Sequence, residues 1–164
     1  MTQAVLPAMA RRGAGRIVNI GSVSGLLTTP FAGPYCASKA ALHSLNDALR
    51  MELKPFGITV LLVQPGGVQS GFGDSAKGQT AKTWTLYARF AEGIAKRAAA
   101  SQDKAMPAAE FAAAMVRAVL ADKPKPVIRL GEGSRLLPRV ARLPVALKDW
   151  LLMRRFGLLE GAKP

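Results

Sequence analysis

Apolar positions mark out the chain before any chemistry is considered. Ala4, Val5, Ala8 and Met9 recur at helical spacing and Gly13 and Gly15 follow, so residues 1–12 are expected to be the end of a helix. The run from Arg16 to Gly21 then fits a short buried strand. Pro34 opens a second helix with an apolar stripe of Ala41, Leu42, Leu45, Ala48, Leu49 and Leu53, which Pro55 and Gly57 end. Residues 58–63 are a nearly unbroken β-branched and leucine run, the pattern of a strand covered on both faces of a parallel sheet. Residues 66–106 are irregular apart from one helix expected near 83–96. Pro107 takes the place of a first helical residue, and Phe111, Met115 and Val119 follow at helical spacing. A short strand is expected over Val127–Leu130, then two or three helical pieces interrupted by Pro138 and Pro144.

Strands alternating with helices point to an α/β fold with a parallel sheet of about three strands. Three strands are few for a sheet covered on both faces, and a strand edge is expected to lack a neighbour. Length bounds the chain to one domain, here divided into 1–68, 69–106 and 107–164. With 49% hydrophobic and 20% charged residues the chain reads as globular. The single cysteine, Cys36, excludes an intrachain disulfide framework and fits a reducing compartment. With no basic-then-apolar leader and no membrane-spanning run, a cytoplasmic protein is expected, with no metal site.

Charge changes the picture more. Lys and Arg outnumber Asp and Glu 23 to 10, a formal net charge of +13. Such a balance suits an anionic partner or simply a basic enzyme surface. Aromatics make up only 6% and do not interleave with a basic stripe, so nucleic acid is not expected as a partner.

The informative chemistry begins at Ser22, just past a strand, and resumes thirteen residues later at Tyr35. Tyr35 and Lys39 are four apart at the start of a helix and project from one face. A lysine ammonium beside a phenol favours the phenolate, and such a tyrosine can exchange a proton with a carbonyl or alcohol. A serine hydroxyl can hold the same oxygen. Ser24 is the alternative to Ser22, at a spacing two residues shorter. His43, one turn beyond Lys39, is expected to be a packed or interface histidine, and Cys36 a small buried residue.

Ser22, Gly25 and Tyr35-Cys-Ala-Ser-Lys39, with Pro65-Gly66 after the second strand, resemble the signature of the short-chain dehydrogenase/reductase family. The resemblance is detailed over residues 1–72 and outlined beyond. It implies a partial Rossmann-like, doubly wound sheet and hydride transfer between NAD or NADP and a carbonyl or secondary alcohol. By it, Tyr35 is the acid/base, Ser22 orients the carbonyl, and Lys39 binds the nicotinamide ribose and favours the phenolate. Pro65, Gly66, Val68 and Ser70 would contact the cofactor, Val68 through its backbone and Ser70 through a hydroxyl. The first two helices resemble the family's dimer-forming pair, so a homo-oligomer is expected. Phe72, Trp84, Tyr87 and Phe90 fall in its substrate-loop region, which suggests an apolar substrate.

The family's glycine-rich pyrophosphate turn and its catalytic asparagine do not occur in the sequence; Gly13-Ala-Gly15 precedes a strand instead of following one. The chain is therefore expected to be a truncated or mis-started copy. A second reading makes it a non-catalytic module that dimerises or lies on a membrane surface. Its basis is the basic, apolar segment Ser134–Leu159 with Arg135, Arg139, Arg142, Lys148, Arg154 and Arg155 beside Leu136, Leu137, Leu143, Trp150, Leu151 and Phe156. The 164-residue chain alone is expected not to bind NAD(H) or NADP(H) tightly. Calorimetric titration that returned micromolar affinity would overturn that expectation.

Overall fold

A computed structural model describes residues 2–71 and 85–159. Phe72 and Trp84 lie outside the described residues. Helix α1 (Thr2–Arg12) leads through a left-handed Gly13 into strand β1 (Gly15–Ile20). A single 3₁₀ turn (Val23–Gly25) precedes helix α2 (Gly33–Glu52), and strand β2 (Ile58–Pro65) follows. Another 3₁₀ segment (Thr85–Phe90) runs into helix α3 (Ala91–Ala99), so the described part of the helix expected near 83–96 is a tighter 3₁₀ winding first and α-helical only from Ala91. Helix α4 (Ala108–Leu120), strand β3 (Val127–Leu130), the short α5 (Leu137–Val140) and α6 (Val145–Arg155) complete the order.

The sheet is parallel throughout, in the order β1-β2-β3. Gly15 pairs with Ile58 at one end of the register and Pro65 with Leu130 at the other. Strand alternation divides the core in two. Ile17, Ile58 and Val60 face Leu6, Met9 and Ala10 of α1 and Leu49 and Leu53 near the end of α2. Val18, Leu61, Val63 and Ile128 face Phe111, Met115, Ala118 and Val119 of α4. Helices on both faces make the sheet doubly wound, and β2 is buried because both layers close on it. Arg16 adds a guanidinium hydrogen bond to the Val119 carbonyl, where α4 ends.

Three local expectations need correction. The inward face of α2 carries Cys36, His43 and Asn46, while Leu45 of the expected apolar stripe is 55% exposed. That helix is drawn to the strand exit by polar groups, which rotates part of its leucine stripe outward. Pro107 stands just outside α4 as its N-terminal flank, with an extended ψ of 137°. Pro138 lies in the first turn of α5, where a missing N–H costs nothing, and so does not interrupt a helix.

The crossover from α2 to β2 turns on Gly57, with φ of +69°. A Cβ built there would stand 2.0 Å from the Gly13 carbonyl oxygen, so both backbone sign and space demand glycine. Gly57→Ala is expected to lower stability by about 2–3 kcal/mol in urea denaturation. Gly33→Ala, at a helix start with open space around it, should change stability by less than about 0.5 kcal/mol.

Candidate active site

Helix α2 presents a polar face to the exit of β1. Tyr35, Lys39 and His43 stand one turn apart in succession, and Asn46 follows three residues on, so all four share that face. Lys39 Nζ donates to the Ile20 carbonyl oxygen at 3.1 Å and lies 5.9 Å from the centroid of the Tyr35 ring. The Ser22 amide donates to His43 Nε2 at 3.4 Å. Asn19 Nδ2 donates to Asn46 Oδ1 at 3.0 Å. Both Tyr35 and Lys39 are half-buried, whereas Ser22 is buried.

Ser22 caps the 3₁₀ turn that follows β1. Its Oγ accepts from the Ser24 amide at 3.1 Å, which leaves the hydroxyl proton as a donor. Ser24 contributes its backbone there, not its side chain. Gly21 and Gly25 close around the imidazole of His43. A Cβ added at either would stand 2.5 Å or 2.4 Å from a ring atom. His43 is thus the packed histidine expected, and it also fixes the serine turn.

Behind His43 lies a second polar pair. Gln64, on the α2 side of β2, brings its amide nitrogen to 3.5 Å from His43 Nδ1. Arg129 Nε donates to Gln64 Oε1 at 2.8 Å, and this orients the amide. Both ring nitrogens therefore face donors, but a neutral imidazole has only one lone pair to accept with. The two contacts are correspondingly long. Burial pushes the His43 pKa below its ordinary 6.5; Asp47 opposes the shift, while Lys39 and Arg129 add to it. Cys36 is buried nearby in the helix, as expected of a small packed residue. Asn46 is fully buried, and its Nδ2 has no partner among the described residues, which costs about 1–3 kcal/mol.

The loop after β2 is fastened on its far side. Gly66 donates to the Leu130 carbonyl and Gly67 to the Glu132 carbonyl, each at 2.8 Å. A Cβ at Gly66 would stand 1.9 Å from the Glu132 oxygen, so this approach requires glycine. Gln102 Nε2 donates to the Val68 carbonyl at 3.2 Å, and its Oε1 accepts from the Ser70 amide at 3.4 Å. Pro65, Gly66, Val68 and Ser70 therefore form one braced loop at the carboxyl end of β2, where open α/β sheets bind ligands.

Phe31, Tyr87 and Phe90 form an aromatic cluster, each pair with centroids 6.4 Å apart. Phe31 has φ of +62°, uncommon for a bulky residue, and lies between Ser22 and Tyr35 in the chain. Leu27, Leu152 and Phe156 also pack against it.

Sequence reasoning placed Ser22, Tyr35 and Lys39 but missed Gln64, Gln102, Arg129 and Phe31. A lone glutamine in the apolar run of β2 was the available signal for Gln64. The others depend on contacts between segments far apart in the chain. Among the described residues, no group of His, Cys, Asp and Glu could hold a metal, and no helix is long and apolar enough to cross a membrane.

Residues 1–81 match the family model described as short chain dehydrogenase. Human 17-beta-hydroxysteroid dehydrogenase type 1 is 36% identical over 143 residues, 84% of this chain and 43% of that protein. A short-chain dehydrogenase from Streptomyces avermitilis superposes with a TM-score of 0.70 at 26% identity, over 99% of this chain and 58% of the other. Actinorhodin polyketide ketoreductase, solved with NADPH, gives a TM-score of 0.55 at 29% identity, over 81% and 52%. The chain thus spans about half the length of the proteins it matches. With the matched segment, these relatives and the doubly wound sheet in agreement, residues 1–81 belong to the short-chain dehydrogenase family and the chain as a whole is similar to its members in fold.

Proposed function

We propose that this chain supplies the catalytic face of an oxidoreductase that moves a hydride between NAD or NADP and a carbonyl or secondary alcohol. The observation that carries the reading is the tether of Lys39 to the Ile20 carbonyl. It holds the ammonium beside Tyr35 on the helix face that meets the Ser22 turn. The Tyr35 hydroxyl would pass a proton to or from the substrate oxygen, and the Ser22 hydroxyl would donate a hydrogen bond to it. Lys39 keeps N–H donors beyond the one spent on Ile20, enough for the hydroxyls of a ribose.

The residues present suit the nicotinamide end of such a cofactor. The Pro65–Ser70 loop approaches from the carboxyl end of β2 with its conformation held by Leu130, Glu132 and Gln102. When bound, the nicotinamide supplies or accepts the hydride. Phe31, Tyr87 and Phe90 would offer an apolar wall, which favours an apolar substrate over a sugar. That preference accords with the steroid named for the human relative and the polyketide named for the ketoreductase. A cytoplasmic, homo-oligomeric enzyme remains part of the proposal.

Two measurements test it. In the polypeptide encoded by the reading frame that contains this segment, Tyr35→Phe should reduce turnover of carbonyl substrates by about 10²–10⁴-fold while cofactor affinity is kept. Undiminished turnover would refute the role of Tyr35. The second concerns His43, whose lone pair serves the Ser22 turn only while the ring is neutral. A folded-state pKa below 6.5 means that the unfolded chain binds this proton more readily. The stabilisation is complete above pH 6.5 and is lost as pH falls through the folded-state value. Urea midpoints should therefore rise with pH below 6.5, with a His43 contribution of at most about 1.4 kcal/mol per pH unit. His43→Gln should remove that contribution. An unchanged slope would count against the neutral imidazole.

A further inference from the structure

Helix α6 has two apolar sides. Leu152 and, just past the helix end, Phe156 are buried and pack with Leu27, Phe31, Leu137 and Val140. Leu147, Trp150, Leu151 and Arg154 fall at helical spacings of three and four on the opposite side. There Leu147 is 45%, Trp150 46% and Leu151 37% exposed. A helix whose inward needs are already met gains nothing in water from a second apolar strip.

Charge identifies what would cover it. Between Arg135 and Arg155 there are six basic residues and one acidic residue, Asp149. Arg135, Arg139, Arg142, Arg154 and Arg155 are exposed. The Arg154 guanidinium stands 5.4 Å from the Trp150 ring centroid, so cation and indole occupy one level of the helix surface. A second copy of the chain is a poor occupant, because a two-fold contact would set this positive surface against itself. Nucleic acid would answer the arginines but leave the leucines wet. An anionic lipid surface answers both: leucine and tryptophan enter the interface, and arginine reaches the headgroups.

We propose that the outer side of α6 is a peripheral docking face for membranes containing anionic lipid. The helix lies in the interface plane with Leu147, Trp150 and Leu151 immersed. The inward side stays on the aromatic cluster, so an apolar ligand in the bilayer would lie one helix away from it. This docking does not depend on the hydride-transfer reading.

Co-sedimentation with vesicles of phosphatidylcholine alone, or mixed with phosphatidylglycerol, tests the proposal. The chain should pellet with the mixed vesicles, much less with the neutral ones, and less at raised salt. Leu147→Ser with Trp150→Ser should lower the partition coefficient at least about tenfold. Arg154→Glu with Arg155→Glu should do the same by removing the electrostatic part. All four residues are exposed, and circular dichroism should be unchanged in both variants. Equal pelleting with both vesicle types would overturn the proposal. So would full binding by the Leu147/Trp150 variant, which would mean charge alone is at work. Self-association without vesicles that this variant abolishes would assign the face to a second copy instead.

Discussion

Everything in the candidate site depends on a helix being tied to a strand end by hydrogen bonds instead of by interdigitated side chains. Lys39, His43 and Asn46 of α2 reach the Ile20 carbonyl, the Ser22 backbone amide and the Asn19 side-chain amide in turn. Apolar packing tolerates a slide of a few tenths of an ångström, whereas hydrogen bonds weaken steeply with distance and angle. Three of them along one seam set the rotation of α2 about its axis as well as its distance. With the rotation set, Tyr35 and Lys39 share the side of α2 from which Lys39 and His43 reach the strand end and the serine turn. The arrangement has an energetic cost, since His43 and Asn46 are held away from water and Asn46 has a donor without a partner among the described residues.

The two apolar layers do different work. The one between α1, the end of α2 and the sheet holds the amino ends of the strands, through Ile17, Ile58 and Val60. The other, under α4, closes the far face through Leu61, Val63 and Ile128. Neither supplies a functional group, yet together they make β2 rigid enough for Gln64 and the loop from Pro65 to be defined at its carboxyl end. The positive charge is distributed apart from this core. Arg89, Arg154 and Arg155 stand over aromatic rings, and the ion pair of Arg50 with Asp47 lies on the surface of α2. An excess of cations placed this way contributes little to folding and much to the field outside the protein.

The frame was largely legible from residue pattern. Val127–Leu130 is the strand expected, because short β-branched runs bounded by proline and glycine have few other uses. The start of α2 follows from Pro34, whereas its end at Glu52 comes before the expected Pro55 and Gly57, which instead shape and cap a 3₁₀ turn over Lys54–Phe56. Periodicity misled at the inward face of α2, since it ranks leucines above a histidine and an asparagine. Leu45 is consequently exposed where burial was expected. Gln64 and Gln102 act across 21 and 34 residues of chain, and no local rule reads such pairings. Phe31 was hidden for another reason: its positive φ is a property of the packed state around Leu27, Gly93 and Phe156, not of phenylalanine.

The collar of Gly21 and Gly25 around His43 carries a consequence for how this protein can change over time. The imidazole fills the space that any side chain at either glycine would need, within 2.5 Å of the built Cβ positions. The three positions are therefore one unit of variation. A homologue with alanine or serine at either glycine must carry something smaller than histidine across from it, and the smaller residue forfeits the acceptor for the serine amide. Divergence at this corner of the fold should proceed by paired replacement, with the loop finding another acceptor in the same step.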